Sequence, residues 1–338
     1  MRELLHLEQL REGKVLLAFS GGVDSTALFH LLLENNIAFD TAHVNYHTRA
    51  TSDNEALSAQ DLAQSNNLHC YVHSCHLGSA NFENHAREER YRFFEYLMKK
   101  HGYTYLLTAH QLNDRLEWML MQLTRGCGLP ELLGIKSRDK RGKLSILRPL
   151  LQHDRHEIEE YLSQHNLSHF IDESNSDENY TRNRFRHRHS TPIMHEHADA
   201  IRRSFRYLEE DNDTLIETIV FKGCDGLYWS ENPHTLRSLV YGIDQHLKSL
   251  GILMSGPEKE ELKKKKSSII SRKYAVSIEE NHTFIAPYRC DNIMDKKFKE
   301  ECRKLKIEPK LRGFLSESSE AFSLIRRLKE PLKLPRYD

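Results

Sequence analysis

The stretch Ser20-Gly21-Gly22-Val23-Asp24-Ser25-Thr26 decides the fold, because it joins a segment with a strand pattern to a segment with a helix pattern. Residues 14–19 before it read KVLLAF, a nearly continuous apolar run that is typical of a strand buried on both faces. Residues 24–34 place apolar side chains at helical spacing. Adjacent glycines let the backbone approach a ligand closely, and the helix N-terminus that follows favours an anion. The stretch therefore predicts a phosphate-binding loop between a strand and a helix.

The side chains of this loop support the same prediction. Ser20, Ser25 and Thr26 offer hydroxyl donors, and Asp24 offers a carboxylate that can hold magnesium. The sequence lacks the G-x-x-x-x-G-K-[ST] signature, which disfavours ordinary transfer of a terminal phosphate. A glycine turn without a ligand is the structural alternative, and the buried strand and the hydroxyl spacing argue against it.

The first half of the chain alternates strand-like and helix-like segments. Strands are predicted at residues 14–19, 39–45, 69–73 and 104–109, and helices at residues 24–34, 52–66, 81–100 and 111–124. Strands that alternate with helices run parallel and are joined by right-handed crossovers. We therefore predict an α/β domain with a doubly wound parallel sheet.

The pattern changes after about residue 149. Residues 153–165 predict a helix, the polar segment 172–188 predicts an irregular connection, and residues 192–219 and 232–250 predict further helices. A basic part follows, in which residues 273–278 and 283–287 predict a hairpin. We predict three regions: a nucleotide-binding domain at 1–190, a helical region at 191–250 and a small basic α+β domain at 251–338.

Composition excludes several classes of protein. The chain has 338 residues, a formal net charge of zero, 38% hydrophobic and 29% charged residues, which is the balance of a water-soluble globular protein. No apolar run is long enough to span a bilayer, and the N-terminus carries acids where a secretory signal is apolar, so we expect a cytoplasmic protein. Its six cysteines form no C-x-x-C pair, which predicts reduced thiols and neither a zinc site nor a redox motif.

A second group of polar residues follows the second and fourth predicted strands. Residues 43–49 read HVNYHTR and residues 108–117 read TAHQLNDRLE. Open α/β sheets bind ligands at these carboxyl ends. Asp114 and Glu117, three apart near the start of a helix, project from one face and could share a cation or hold an amine. Solvated surface is the alternative, and their place after a strand of the same sheet favours a site.

These stretches resemble a known family. SGGVDST resembles the loop of the ATP pyrophosphatase (PP-loop) family, whose members split ATP between the α and β phosphates and leave AMP on a substrate. Within it, the lysidine synthases show H-V-N-H-x-x-R and T-A-H-H-x-x-D-Q-x-E-T at the two strand ends. They also show R-G-x-G-L-x-x-L-x-G, matched at 125–134, and R-P-L-L, matched at 148–151. Their D-x-S-N-x-D-x-x-Y-x-R-N-R-x-R is matched by Asp172, Ser174, Asn175, Asp177, Tyr180, Arg182, Asn183, Arg184 and Arg186.

The resemblance covers roughly residues 14–190 and implies a reaction. ATP, with Mg²⁺, would adenylate the C2 carbonyl oxygen of the wobble cytidine of an isoleucine tRNA with a CAU anticodon. Free L-lysine would then attack C2 through its ε-amine, expel AMP and form lysidine. The two later regions, with basic runs at 263–266 and 296–312, would contact the tRNA backbone.

The resemblance also assigns roles to residues. ATP would be bound by Ser20, Gly21, Gly22, Val23, Asp24, Ser25, Thr26, His43, Asn45 and His110. Asp24, Asp114 and Glu117 would be catalytic, with magnesium on Asp24 and Asp114 and the lysine ammonium on Glu117 with Asp114. The tRNA substrate would be bound by Arg125, Arg182, Asn183, Arg184 and Arg186.

Four residues depart from the family pattern. Tyr46 and Gln111 each stand where the pattern has His, and Arg115 and Trp118 stand where it has Gln and Thr. Arg115 is expected to place a cation beside the proposed amine site. Four histidines at 187, 189, 195 and 197 lie among arginines that would repel a metal ion, and Cys127 is expected to be a small buried residue rather than a nucleophile.

Other functions stay open on the sequence alone. Another PP-loop enzyme, such as a tRNA thiolase, is the nearest alternative, although thiolation usually needs paired cysteines. A glutamine-fed synthetase would need a further domain, and a nucleotide-binding module without catalysis would not need Asp24, Asp114 and Glu117. Both a monomer and a homodimer are compatible with the sequence.

Overall fold

The computed structural model describes residues 2–78, 81–170, 181–290 and 292–329. The chain divides into two compact units, Met1–Glu210 and Asp211–Asp338. The sequence predicted three regions, and residues 191–210 belong to the first unit.

The first unit is built on a six-stranded sheet with the order β3-β2-β1-β4-β6-β5. Its strands are β1 Val15–Ala18, β2 Phe39–Asn45, β3 Cys70–Ser74, β4 Tyr105–Leu107, β5 Arg138–Arg141 and β6 Leu144–Leu147. All neighbouring pairs are parallel except β5 with β6. The predicted doubly wound α/β fold is therefore confirmed.

The helices of this unit pack their apolar sides either on the two faces of the sheet or on one another. They are α1 Leu7–Glu12, α2 Val23–Glu34, α3 Ser52–Ser65, α4 Phe82–His101, α5 Leu112–Leu123, α6 Leu129–Leu132, α7 Arg155–Gln164, α8 Thr181–Phe185 and α9 Thr191–Leu215, which continues into the second unit. Leu17 of β1 packs with Phe29 of α2 and Ile158 of α7, whereas Leu16 packs with Phe94 of α4 on the opposite face. Successive side chains of a buried strand point to opposite faces, which explains this division.

Two segments differ from the predictions. The hairpin of β5 and β6 was not predicted, and it adds an antiparallel edge to the sheet beside β4. The described part of segment 172–188 is helical rather than irregular, since α8 is followed by a π-helical turn at Arg186–Ser190 and then by α9. The motif residues Asp172, Ser174, Asn175, Asp177 and Tyr180 lie outside the described residues.

The second unit is an antiparallel sheet with helices on both faces. Its strands are β7 Lys222–Cys224, β8 Leu227–Glu231, β9 Ser267–Ile270, β10 Tyr274–Ile278 and β11 His282–Pro287, in the order β7-β8-β11-β10-β9. Its helices are α10 Leu236–Ser249, α11 Gly256–Lys265, α12 Lys296–Lys304, α13 Pro309–Leu315 and α14 Ser319–Lys329. The predicted hairpin is β10 with β11. One core joins the sheet to α10 and α11, and the other joins it to the last three helices.

No helix in the described parts of the chain combines the length and the apolar character that crossing a bilayer requires.

Candidate active site

The loop after β1 adopts a backbone that glycine favours. Gly21 has φ +75°, and the peptide N–H of Phe170 donates to its carbonyl oxygen at 2.9 Å. A Cβ atom at Gly21 would stand 3.1 Å from the Phe170 ring, so a larger residue would be strained in both conformation and space. Gly22 is the N-cap of α2 and brings no side chain to the helix N-terminus. The first N–H groups of α2 are therefore left to an anion.

The hydroxyl groups of the loop fix its shape. Ser20 and Ser25 place their Oγ atoms 3.0 Å apart, and the Ser25 hydroxyl donates to the Gly22 carbonyl at 3.1 Å. The Thr26 hydroxyl donates to the Gly21 carbonyl at 3.2 Å. These three hydroxyls thus support the loop from within.

The strand order brings the two acidic segments together. β1 and β4 are neighbours, and the chain leaves β1 towards β2 but leaves β4 towards β6. This reversal is the point where open α/β sheets bind ligands. Asp24 follows β1 and Asp114 follows β4, and Asp114 lies near enough to raise the pKa of Asp24.

Asp24 is paired with a residue that the sequence did not single out. The Arg155 Nη1 group lies 3.2 Å from both carboxylate oxygens of Asp24. Burial raises the pKa of Asp24 to about 6, against the opposing influence of Arg155, and Asp114 adds to the rise. The Asp24 side chain still keeps 29% of its surface exposed, so a ligand can reach it.

Asp114 in the first turn of α5 and Glu117 in the second turn share two arginines. The Arg182 Nε group donates to Glu117 at 3.0 Å, and its Nη2 group bonds Asp114. The Arg186 Nε group donates to Glu117 at 2.7 Å and its Nη2 lies 3.8 Å from Asp114. The Glu117 side chain is only 2% exposed, so these guanidinium groups supply the partners that a buried carboxylate needs.

Local structure fixes the orientation of Asp114. Its Oδ2 accepts the peptide N–H of Gln111 at 3.0 Å, while the Gln111 side chain accepts the N–H of Asn113 at 2.6 Å. This reciprocal pattern is a capping box, and it begins α5 at Leu112. Burial raises the pKa of Asp114, but Arg182 and its other partners outweigh this effect and lower it overall. Gln111, which stands where the family pattern has His, thus acts as the helix cap.

The other predicted ATP-binding side chains lie at the same sheet edge. His43 on β2 is buried, with its Nδ1 3.1 Å from the Phe19 carbonyl oxygen, and burial lowers its pKa. Asn45 donates to Asp53 at 2.7 Å and accepts the peptide N–H of His47 at 2.9 Å. His110 follows β4, and desolvation lowers its pKa to about 4.

The predicted substrate-binding residues separate into two groups. Arg182 and Arg186 contact the acidic pair, and Asn183 between them is buried. Arg184 and Arg125 are exposed. The five residues are therefore not one uniform surface.

Arg115 does not place a cation beside the amine site, which corrects the expectation from the sequence. Its Nη2 group donates to Glu209 of α9 at 2.6 Å, and its guanidinium lies 4.2 Å from the centroid of the Phe205 ring. Residues 114 and 115 point to different sides of a helix, so the carboxylate faces the site while the arginine anchors α9. Trp118, the other departure on α5, donates from Nε1 to the Glu131 carbonyl at 2.8 Å.

The carboxylates fit a magnesium site. Magnesium is held by one or two carboxylates together with substrate phosphates and water; Asp24 belongs to the phosphate-binding loop, and Asp114 lies across the sheet reversal from it. No group of three or more His, Cys, Asp or Glu side chains in the described ranges is arranged to hold a metal by itself. The donor set suits a cation that arrives with a polyphosphate.

Phe170 and Arg155 are the residues of this site that sequence reasoning missed. Both follow the R-P-L-L segment, and neither belongs to the family patterns. For Arg155, the sequence offered one signal of a role in the site: it is a basic residue at the start of a predicted helix in a nucleotide-binding domain.

Comparison with known proteins shows what this chain is similar to. The model of the PP-loop domain family matches residues 1–191. A tRNA(Ile)-lysidine synthase of Wolinella succinogenes is 44% identical over 92% of this chain and 95% of its own. A tRNA(Ile)-lysidine synthase of Helicobacter pylori is 39% identical over 92% of this chain and 91% of its own. Among solved structures, a U34-tRNA thiolase of Methanococcus maripaludis aligns with a TM-score of 0.49 and 15% identity, covering 64% of this chain and 80% of that one.

Proposed function

Because this chain belongs to the tRNA(Ile)-lysidine synthase family and carries its PP-loop domain, we propose that it ligates lysine to a tRNA. The acceptor is C2 of the wobble cytidine in the CAU anticodon of isoleucine tRNA. The base is first adenylated by ATP, and the ε-amine of free L-lysine then displaces AMP to give lysidine. The enzyme acts in the cytoplasm.

One observation carries the chemical part of this proposal. Asp114 and Glu117 stand at the end of β4, across the sheet reversal from the phosphate-binding loop and Asp24. A polyphosphate bound at the loop would therefore lie beside a pair of carboxylates that can receive an amine. This juxtaposition suits adenylation followed by aminolysis better than it suits nucleotide storage.

In the first step, the protein positions ATP. The free N–H groups at the start of α2 and the Gly21-Gly22 backbone bind phosphate oxygens, and the cytosine O2 attacks the α-phosphorus. Asp24 and Asp114 would hold magnesium, which would supply positive charge to offset that of the departing pyrophosphate. His110, which is partly buried, stays uncharged at neutral pH because desolvation lowers its pKa, and it can accept or donate one hydrogen bond there.

In the second step, the acidic pair receives lysine. The solution pKa of a lysine amine is about 10.4, so the ammonium form arrives and must lose a proton before it attacks. Asp114 and Glu117 bind this ammonium group, and Arg182 and Arg186 must yield part of their contact with the carboxylates. Lysine binding and movement of α8 are thus coupled.

The exposed arginines serve the tRNA. Arg184 and Arg125 face solvent, and a guanidinium exposed next to a base-modifying site can bind a phosphate of the anticodon loop. Residues 1–190 form the catalytic region, and residues 191–250 and 251–338 add backbone contacts further along the tRNA.

Nucleoside analysis tests the reaction. Isoleucine tRNA with a CAU anticodon is incubated with ATP and isotopically labelled lysine, digested and examined by mass spectrometry. We expect a labelled lysidine nucleoside and one AMP for each base modified. A reaction without lysine, with a sulfur donor in its place, separates this activity from a tRNA thiolase. Conversion of ATP to ADP would contradict the proposal.

A further inference from the structure

Arg155 covers the carboxylate that the phosphate-binding loop presents. Its Nη1 group lies 3.2 Å from Oδ1 and 3.2 Å from Oδ2 of Asp24, so one nitrogen is shared by both oxygens. The two residues are 131 positions apart in the chain, one on the first turn of α2 and the other at the start of α7. The contact therefore depends on the packing of α7 against α2.

The position of Arg155 is fixed from two sides. Its peptide N–H donates to the Asn113 side chain at 3.1 Å, which ties the start of α7 to the residue beside Asp114. Its Nε donates to Glu159 at 2.6 Å, one turn along α7. Within the part of the chain that the structure describes, its Nη2 group makes no hydrogen bond. The guanidinium is thus held over Asp24 with one pair of N–H donors still available.

A guanidinium and a divalent cation compete for such a carboxylate. Mg²⁺ requires ligand oxygens at about 2.0–2.1 Å in a nearly octahedral arrangement, and it gives up its water reluctantly. A guanidinium nitrogen that is equidistant from both carboxylate oxygens occupies the position from which a cation would approach them. A bare cation would have to break the ion pair without offering Arg155 a new partner. A cation that arrives on a polyphosphate brings an anion that Arg155 can bind.

We propose that Arg155 is a positioning residue that shields Asp24 from free divalent cations and admits the metal only together with a nucleotide polyphosphate. When the phosphates bind, Arg155 exchanges the Asp24 carboxylate for a phosphate oxygen, and the carboxylate becomes free for the metal. Glu159 keeps the guanidinium close during this exchange. The inference rests on the proposed use of ATP and magnesium at this loop.

Binding of Mn²⁺, measured by electron paramagnetic resonance without nucleotide, tRNA or lysine, tests this assignment. We expect Arg155→Gln to bind free Mn²⁺ about threefold to tenfold more tightly than the unaltered protein, as the loss of one partly exposed ion pair allows. The same variant should bind the complex of Mn²⁺ with a non-hydrolysable ATP analogue more weakly, because the phosphate contact is lost. Unchanged or weaker binding of free Mn²⁺ would overturn the proposal.

Matched variants separate charge from folding. Arg155→Lys keeps the positive charge and should stay near the unaltered protein, whereas tightening equal to that of Arg155→Gln would overturn the proposal. Arg11→Gln removes an exposed arginine of α1 and should change neither titration. Asp24→Asn in the Arg155→Gln background should abolish the gain in affinity, and a gain that persists would place the cation elsewhere. Because these titrations contain no tRNA, ligase activity can persist when this inference fails.

Discussion

Arg182 and Arg184 are two positions apart and point to different partners. Arg182 bonds both Asp114 and Glu117, while Arg184 is exposed. A helix turns by about 100° per residue, so alternating arginines divide between a side that faces the acidic pair and a side that faces solvent. The two residues therefore serve different functions although both belong to one motif.

Replacing each arginine by alanine should reveal this difference. Arg184→Ala should weaken tRNA binding and leave ATP binding unchanged. It should also reduce the slope of log tRNA affinity against log salt concentration by about 1, because one phosphate contact is lost. Arg182→Ala should instead lower the free energy of unfolding by on the order of 1 kcal/mol, because the buried Glu117 keeps only its contact with Arg186. Salt-dependent filter binding and urea melts measure the two effects. Equal losses of tRNA and ATP affinity in Arg184→Ala would contradict this division.

His110 should make stability depend on pH. Its pKa in the folded protein is about 4, below the ordinary histidine value of about 6.5, because desolvation opposes its charged form. Between these two pH values the unfolded chain binds more protons, so stability is complete above pH 6.5 and falls as the pH decreases towards 4. His110→Gln should remove on the order of 3 kcal/mol of this fall. Urea melts of the unaltered protein and of His110→Gln at pH 4.5 and 7.5 measure this difference. An equal loss of stability between the two pH values in both proteins would contradict the assignment.

At the residue scale, local motifs identified the acids but not their partners. Asp24, Asp114 and Glu117 were predicted from short patterns beside strands, and the structure brings all three to one edge of the sheet. Arg155 is 131 residues from Asp24, and no local pattern reports such a pairing. The role of Arg115 was predicted wrongly because spacing alone did not say which side of α5 faces α9.

α5 is held against the segment after α6 by one close contact. Trp118 packs its indole over Gly134, where a Cβ atom would lie 2.4 Å from the Trp118 Nε1 atom. The same Nε1 donates to the Glu131 carbonyl, so the indole cannot move away without losing a hydrogen bond. A glycine is therefore required at 134 by the tryptophan opposite it.

This contact predicts a coupled pair of substitutions. Gly134→Ala should lower the free energy of unfolding by about 1–3 kcal/mol, since the added methyl group overlaps the indole. Trp118→Thr should remove most of this penalty, and the double variant should be more stable than the sum of the two changes predicts. Chemical denaturation of all four proteins measures the coupling. Additive effects would show that the indole moves aside freely.

At the element scale, helices with clear periodicity were predicted within one or two residues. β2 was predicted at residues 39–45 and is observed there. The hairpin of β5 and β6 was missed because Arg138–Arg141 is charged throughout and does not alternate with apolar residues. The sequence predicts an irregular connection through residues 181–188 because they are polar, but they are helical, and Arg182 and Arg186 bond the carboxylates of Asp114 and Glu117.

The two units each contain their own buried cores, which predicts separate folding. α9 is anchored to the first unit by Met194 and Phe205, which pack with Leu112 and Leu116 of α5. A fragment ending at Glu210 should therefore unfold cooperatively and bind ATP as the whole chain does, while its affinity for tRNA falls. Calorimetry and nucleotide titration of the fragment measure this. Loss of ATP binding in a folded fragment would contradict it.

At the scale of the whole molecule, the alternation of strands and helices in the sequence was sufficient to predict the fold of the first unit. The second unit was predicted only as a small α+β domain, because its short strands lie between polar turns and give weak periodic signals. Residues 232–235 precede α10 rather than belonging to it, and β8 comes before them. The predicted boundary at 190 fell within a continuous helical stretch, which local sequence could not distinguish from a linker.

The outer strand β5 has a consequence for self-association. β5 is an edge strand of the sheet, and its residues Arg138–Arg141 read Arg-Asp-Lys-Arg. Three of these four side chains are basic, and Asp139 is paired with Arg148 of the same molecule, so two such edges laid against each other would bring net positive charge together, which disfavours growth of the sheet from one molecule into the next. We therefore expect this edge strand to disfavour both aggregation and homodimer formation by addition of one strand to another.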